Sequence, residues 1–539
     1  MMNTPLLRAI LIGLTALLII SILILSSVPP VSRDALTHHL AVPKLYLKHG
    51  GMYEIPSLPF SYNPGNLDLL YLLALHWGND IIPKFIHFTF ALLTAGLIFN
   101  YLRKRIDTLH ALMGVLLFLS LPVIVKLSIT VYVDLGLVFF STAALIYCLK
   151  WVESEFRFKY LIISAVWCGF ALGTKYNGLI VFFILVLSVP LLHLRVSPQP
   201  SFKSARAIGY GIFFVIIAIT IFSPWLIRNY VWTGNPIYPL YDNLINQTDP
   251  DAFNVLGPFA IRKIIYKESG WQIAFIPLRI FFQGLDGNPQ YFDGRLNPYL
   301  FLLPFFAFLK HLKSPFFLRT EKVILLAYSI LYLSFAFVRV DMRIRYIAPI
   351  IPPLVILSVF GLKQINTMFR EASRGTAPKL FSGAVRVGVS ILLIINAVYV
   401  WKQFNTVAPF GYINGDIGRE AYIEKYRPEY SALKYANRNL PVDVKILSLF
   451  LGQRLYYSDR EMRFDIDLFQ KITKQARTSE VVLSELKEKD FTHLLVGKAL
   501  FVKWVYMNFD EPQKKLVREF FKKDAKSIFS KGGYELFQL

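Results

Sequence analysis

Residues 6–40 read LLRAILIGLTALLIISILILSSVPPVSRDALTHHL. The first part is an apolar run long enough to cross a hydrocarbon core, which takes about 20 residues of helix. Pro29-Pro30 follows it, and then comes a polar stretch led by Arg33 and Asp34. The run is too long for the apolar part of a cleavable signal peptide, and no small-residue cleavage pattern comes after it. It reads as a retained membrane span that opens into a loop rich in chemically useful side chains.

The same pattern recurs outward from this stretch. Apolar runs lie near Ile82–Tyr101, Leu109–Val125, Tyr132–Leu149, Tyr160–Thr174, Gly178–Leu194 and Ile208–Ile227. Others lie near Pro298–Leu309, Val323–Phe337, Ile347–Leu362 and Val385–Trp401, giving about eleven spans in all. The Tyr160 and Pro298 runs are the shortest. The whole chain agrees: 55% of its 539 residues are hydrophobic and 17% are charged, where soluble domains carry roughly 25% charged. Mean hydropathy is +0.47. A disordered, fibrous or simple soluble protein is excluded, and two cysteines exclude a disulfide scaffold or an array of zinc ribbons. Cys148 and Cys168 fall inside spans and read as packing residues.

The net charge of +23 raises the question of nucleic acid. Its distribution gives another answer. With the N-terminus and Arg8 placed in the cytoplasm, alternate loops carry Arg103-Lys104-Arg105, then Lys150, Arg157 and Lys159, then Arg195, Lys203 and Arg206. Lys310, Lys313, Arg319 and Lys322, and then Lys363, Arg370, Arg374 and Lys379, continue the series on that side. This is the positive-inside bias of membrane topology, so no nucleic-acid partner is expected. An odd number of spans puts the C-terminus outside. Residues 1–401 are expected to form the membrane domain, with long outer loops at 32–80 and 228–297. Residues 402–539 are expected to form a soluble outer α/β domain. Its apolar runs Val444–Leu451 and Thr492–Val496 suit strands, and its helical patterns lie near Tyr430–Asn439 and Val482–Lys489.

On this topology the unusual polar residues share the outer boundary, where ionisable groups are costly unless paired or used. They are Asp34; Asp134 in Tyr132-Val133-Asp134; Lys175 in Gly173-Thr174-Lys175-Tyr176-Asn177-Gly178; Arg228-Asn229 after Ser223-Pro224-Trp225; and Arg339, Asp341, Arg343 and Arg345. Three outer arginines before one span break the charge bias, which points to an anion. The planar guanidinium suits phosphate because it donates two hydrogen bonds together. The alternatives are contact with lipid headgroups or pairing with Asp341, and Lys175 could simply extend its head to the interface. Asp34 is either a helix cap or a general base. Asp134 is either a second site carboxylate or the partner of Lys126 or Lys175. His38 and His39 follow Asp34 closely enough to suggest a divalent ion, although plain hydrogen bonding is the preferred reading. The sequon Asn246-Gln247-Thr248 is weak evidence by itself, and no P-loop, GxGxxG, HExxH or CxxC motif is present.

These motifs, in this order, resemble the GT-C class of membrane glycosyltransferases. The likeness is to the branch of protein O-mannosyltransferases and the lipid A aminoarabinose transferase, within glycosyltransferase family 39. The matching segments are Asp34 through Tyr46 with Gly50 and Pro64, Tyr132-Val133-Asp134, Gly173 through Gly178, Ser223 through Asn229 with Gly234-Asn235-Pro236, and Arg345-Tyr346 through Pro349 and Pro352. The likeness covers roughly residues 1 to 401. It implies a GT-C fold and a sugar donor on a polyprenyl phosphate. A hydroxyl of a glycan, lipid or protein would enter from outside, with Asp34 as base and inversion at the anomeric carbon. Lys175, Arg228, Arg343 and Arg345 would hold the leaving phosphate, Asp134 would be the second site carboxylate, and Arg33, His38, His39, Asn235 and Tyr346 would support acceptor or site. No cofactor is implied with certainty. The mannosyltransferases have Asp-Glu in the first loop, whereas Ala35 follows Asp34 here, so sugar and acceptor do not carry over. The tail does not match the sugar-binding module of the eukaryotic enzymes.

A transporter or lipid flippase is the alternative. It calls for polar residues at mid-membrane, whereas the span centres here are nearly uncharged. A non-catalytic assembly protein is a third reading, and it would tolerate loss of the Asp34 carboxylate. A bacterial inner membrane is the expected location.

Overall fold

The computed structural model describes residues 4–197, 203–246, 257–309, 315–339, 342–371 and 376–539. Asp341 and, in the sequon, Gln247 and Thr248 lie outside the described residues. The chain divides into two compact units. One comprises residues 1–27, 62–70 and 82–408, and the other comprises 28–61, 71–81 and 409–539.

The first unit is helical. Among the described residues, eight helices are long and apolar enough to cross a membrane, and a bent pair makes a possible ninth. The bent pair is the expected 109–125 span. It breaks by 67° between the helices Thr108–Leu119 and Pro122–Ser128, because a proline has no N–H to give and bars the preceding residue from helical geometry. The two shortest runs form shorter helices, Phe158–Leu172 and Tyr299–Phe306. The helix Asp134–Glu153 is almost wholly enclosed by its neighbours. Thr4–Ser26, Lys203–Thr233 and Thr376–Val407 instead expose apolar side chains such as Leu17, Ile216 and Ile394, as lipid-facing helices do. Close approach depends on small residues. A Cβ added at Gly361 would stand 2.1 Å from the backbone oxygen of Leu303, where the helices Tyr299–Phe306 and Ile351–Glu371 meet. Gly361→Ala is therefore expected to force the two helices apart and cost about 1–3 kcal/mol. Thermal unfolding in detergent should show a clear drop in Tm.

The second unit is built on one mixed sheet. Its strands are β1 (Lys445–Leu449), β2 (Glu461–Arg463), β3 (His493–Gly497), β4 (Lys526–Lys531) and β5 (Tyr534–Gln538), in the order β2-β1-β3-β5-β4. β1 lies parallel to β2 and β3, and β5 is antiparallel to β3 and β4. The tight β4–β5 turn takes both Gly532 and Gly533 to positive φ, at 62° and 82°, which only glycine adopts without strain. Side chains alternate between faces along a strand. Ile446, Leu495 and Leu536 therefore enter one apolar cluster, while Leu447, Leu494, Val496 and Phe537 enter the other. The tail's helices cover the second face with Phe469, Val482 and Phe520. On the first face Leu433 and Ala436 are joined by Ala41, Val42, Tyr46, Ile55 and Leu58 of the first loop. Backbone bonds reinforce this union: the N–H groups of Leu455 and Tyr456 both donate to Leu36 O, at 2.9 and 3.0 Å.

Candidate active site

The start of the helix Asp134–Glu153 is positioned by a histidine. His87 is fully buried. Its Nδ1 lies 2.9 Å from Leu127 O and 3.0 Å from Thr130 O, and both of these are acceptors. Nδ1 therefore carries the proton. Nε2 accepts the Leu135 N–H at 3.0 Å. With both nitrogens engaged in this way the ring is a neutral, structural imidazole that pins the helix turn bearing Asp134. One turn before His87 on its own helix, Ile82–Arg105, Lys84 is also buried. Sequence reasoning passed over both residues, because a histidine and a lysine near the end of an apolar run look like interface decoration.

Asp134 is 1% exposed, and its Oδ1 accepts Lys175 Nζ at 2.7 Å. The open alternative of Lys126 is thereby decided: the partner is Lys175. Asp134 Oδ2 is buried and takes no hydrogen bond among the described residues. Lys175 sits at the apex of a tight turn between the helices Phe158–Leu172 and Gly178–Val196. The turn tolerates no side chain at 178, where a Cβ would lie 2.5 Å from Ala171 O. Lys175 Nζ also stands 4.6 Å from the centre of the Tyr346 ring. The Arg345 guanidinium lies 4.9 Å from the ring centres of both Tyr132 and Tyr346, and its Nη2 donates to Tyr346 Oη at 3.1 Å. Tyr346 is held in turn by Tyr332, whose hydroxyl donates to the Tyr346 carbonyl at 3.1 Å. One carboxylate and two cations thus converge between aromatic faces and leave one net positive charge.

Arg343 belongs to an adjoining polar network. It lies 3.9 Å from Asp293 Oδ2. Lys126 Nζ lies 2.9 Å from Asp293 Oδ1 and 3.2 Å from Asp286 Oδ1, and the Tyr399 hydroxyl donates to Asp286 Oδ2 at 2.8 Å. Burial acts to raise the pKa of Asp293. Lys126 and the Gly287 N–H outweigh it and hold this carboxyl below its ordinary range.

Arg228 and Asn235 serve the loop after the helix Lys203–Thr233. Arg228 donates to Tyr62 O and Asn63 O, bonds Asn229 Oδ1, and packs against the Trp225 and Trp232 rings at 4.6 and 4.9 Å. Asn229 donates to Tyr62 O, Tyr176 Oη and Tyr238 O. Asn235, fully buried, donates to Leu240 O and Asp242 and accepts the Ile237 N–H. Arg339 ends the helix Phe316–Arg339.

Arg33, Asp34, His38 and His39 lie in the second unit. Asp34 precedes the single turn Ala35–His39, and its side chain makes no capping hydrogen bond there. Thr37 Oγ1 donates to Arg33 O, and the His38 ring stacks on Phe60 at 4.7 Å. Among the described residues, no three His, Cys, Asp or Glu side chains come together in a way that could hold a metal ion.

Residues 78–227 match the family model described as dolichyl-phosphate-mannose-protein mannosyltransferase. No curated protein sequence matches the chain. Among solved structures, ArnT from Cupriavidus metallidurans in the apo state superposes with a TM-score of 0.58 at 13% identity, covering 98% of this chain and 97% of that one. The same protein bound to undecaprenyl phosphate gives 0.56 at 14% identity with the same coverage. The oligosaccharyltransferase of Archaeoglobus fulgidus tethered to an acceptor peptide gives 0.51 at 12% identity, covering 94% of this chain and 72% of that one. The chain is a polytopic membrane protein with the fold of the GT-C glycosyltransferases.

Proposed function

We propose that the protein is an inverting glycosyltransferase that moves a sugar from a polyprenyl-phosphate donor to a hydroxyl acceptor at the outer face of a bacterial inner membrane. The observation that carries the reading is the cluster of Asp134, Lys175, Arg345 and Tyr346, embedded in a membrane-spanning unit. A polyprenyl-phosphate sugar presents a single negative charge, and the cluster offers a single net positive one. ArnT, of the same fold, is known bound to undecaprenyl phosphate.

In this reading Lys175 and Arg345 hold the donor phosphate, with Arg343 beside them. Asp134 aims Lys175, and its Oδ2 accepts a sugar hydroxyl. Arg228 and Asn235 hold the surrounding loop in place. Asp34 takes the acceptor's proton as that oxygen bonds to the anomeric carbon. The bond from that carbon to the phosphate oxygen breaks, and polyprenyl phosphate departs as a stable anion that needs no acid. Cations aimed at the charge as it grows on the leaving oxygen are a large catalytic term, and losing one such donor costs roughly 100-fold or more. Arg33, His38 and His39 line the acceptor side, and a divalent ion has no necessary part. The N-terminus is placed in the cytoplasm and the tail outside, an orientation that the basic loops support.

The test supplies the purified protein in vesicles with a panel of polyprenyl-phosphate sugars and follows release of polyprenyl phosphate, with mass spectrometry of cell-envelope glycans with and without the gene. Sugar-dependent release is expected. Movement of the intact donor across the vesicle wall without cleavage would overturn the reading in favour of a flippase.

A further inference from the structure

The tail carries an apolar groove that the proposed reaction does not use. It encloses about 460 Å³, within the range of small-molecule sites. Phe501, Val505, Val517, Phe521 and Phe537 form its lining, together with Val502. The helix Lys498–Asn508 forms one wall. That helix exposes Val502 at 66% and Tyr506 at 75%, surfaces that the described residues leave largely open. An isolated exposed valine is ordinary, but a concave apolar patch of this size with exposed walls marks a binding surface.

The rim says what kind of molecule fits. The charged residues on it are Lys498, Lys514, Arg518 and Lys522, all basic. Lys498 bridges to Glu535 at 2.6 Å and Lys514 to Glu511 at 2.9 Å, whereas Arg518 and Lys522 stand exposed on the groove's edge. Residues 498–524 hold seven lysines and arginines against four acidic residues. An apolar trough under a cationic edge is complementary to an amphiphile with a hydrocarbon chain and an anionic head. A peptide helix would suit the trough but would not need a basic edge.

We propose that this groove binds an anionic phospholipid, with an acyl chain along Val505 and Phe521 and the phosphate on Arg518 and Lys522. The site is independent of the sugar-transfer reading, and occupancy, not turnover, measures it.

The experiment uses the full-length protein in lipid nanodiscs containing phosphatidylglycerol with a photoreactive acyl chain, and maps the labelled peptides by mass spectrometry. Labelling is expected within residues 499–521 and is expected to fall at least fivefold when phosphatidylcholine carries the same chain. Each basic residue near an anionic lipid contributes roughly fivefold to binding, so Arg518→Ala with Lys522→Ala should lower labelling roughly 25-fold. Val502→Glu, on an exposed wall, should abolish it without disturbing the core. Leu500→Glu, on the same helix outside the groove, should leave it intact. Equal labelling by both lipids, equal loss in the Leu500 variant, or no label in the groove would each overturn the proposal. So would concentration-dependent dimerisation lost on Val502→Glu, which would assign the groove to a second copy.

Discussion

Asp34→Asn should lower sugar transfer by about a thousandfold while leaving the fold intact. Amide nitrogen cannot take a proton, and a positioned general base contributes roughly 10²–10⁴ in rate. The size of the asparagine side chain is nearly that of the aspartate. Asp34 makes no helix-capping hydrogen bond, so its loss should not unravel the turn Ala35–His39 that follows. The effect should fall on kcat, because the carboxylate is asked to act as the acceptor oxygen attacks. Donor KM should stay near its original value. The measurement is release of polyprenyl phosphate under saturating donor, beside a thermal unfolding curve for the same preparation. Retained transfer with an unchanged curve would remove Asp34 from the chemistry and assign the base to another group.

The second large effect belongs to Lys175. Lys175→Ala leaves Asp134, 1% exposed, without the cation 2.7 Å away. Breaking one side of a buried pair costs about 3–5 kcal/mol, because the remaining charge is stranded out of water. A marked fall in Tm is expected, together with loss of transfer. Stability and chemistry can be separated by removing both charges. Asp134→Asn combined with Lys175→Met should regain most of the lost Tm, since no buried charge is then left alone. It should not regain transfer, because the donor phosphate has lost a cation. A double variant that is stable and active would show that the pair is structural and that the phosphate sits elsewhere.

Much of the helical architecture is legible in the chain itself. The stretches at 6–27, 82–101 and 178–194 are apolar over the length a bilayer demands, and helices occur at Thr4–Ser26, Ile82–Arg105 and Gly178–Val196. The strand runs of the tail are legible for the same reason, since Ile446–Leu447 and Leu494–Leu495 each supply both faces of a sheet covered on two sides. The bend inside the 109–125 run is not legible, because hydropathy averages over Pro122, whereas backbone geometry does not.

The candidate site is legible only as a set of residue types. Asp134, Lys175 and Arg345 stand out because charge at a membrane boundary demands an explanation. Which of Lys126 and Lys175 would answer Asp134 was open, and the answer rests on the Gly173–Gly178 turn and on His87 fixing the facing helix. Arg228 has the composition of a phosphate ligand, yet it donates to Tyr62 O and Asn63 O, and no local pattern announces that.

By itself the sequence determined that the chain carries many apolar helices of membrane-spanning length, where most of them fall to within a few residues, and that a tail of different composition follows. Of about eleven expected spans, eight or nine are long enough to cross among the described residues. Hydropathy and charge act over a contiguous stretch, so they are written locally. Only the tertiary structure decided that Asp134 answers Lys175 across 41 residues and that Leu36 receives the backbone of Leu455 and Tyr456. Such partners are selected by which surfaces can be packed without stranding a polar group, and that condition exists only once the distant segments have met.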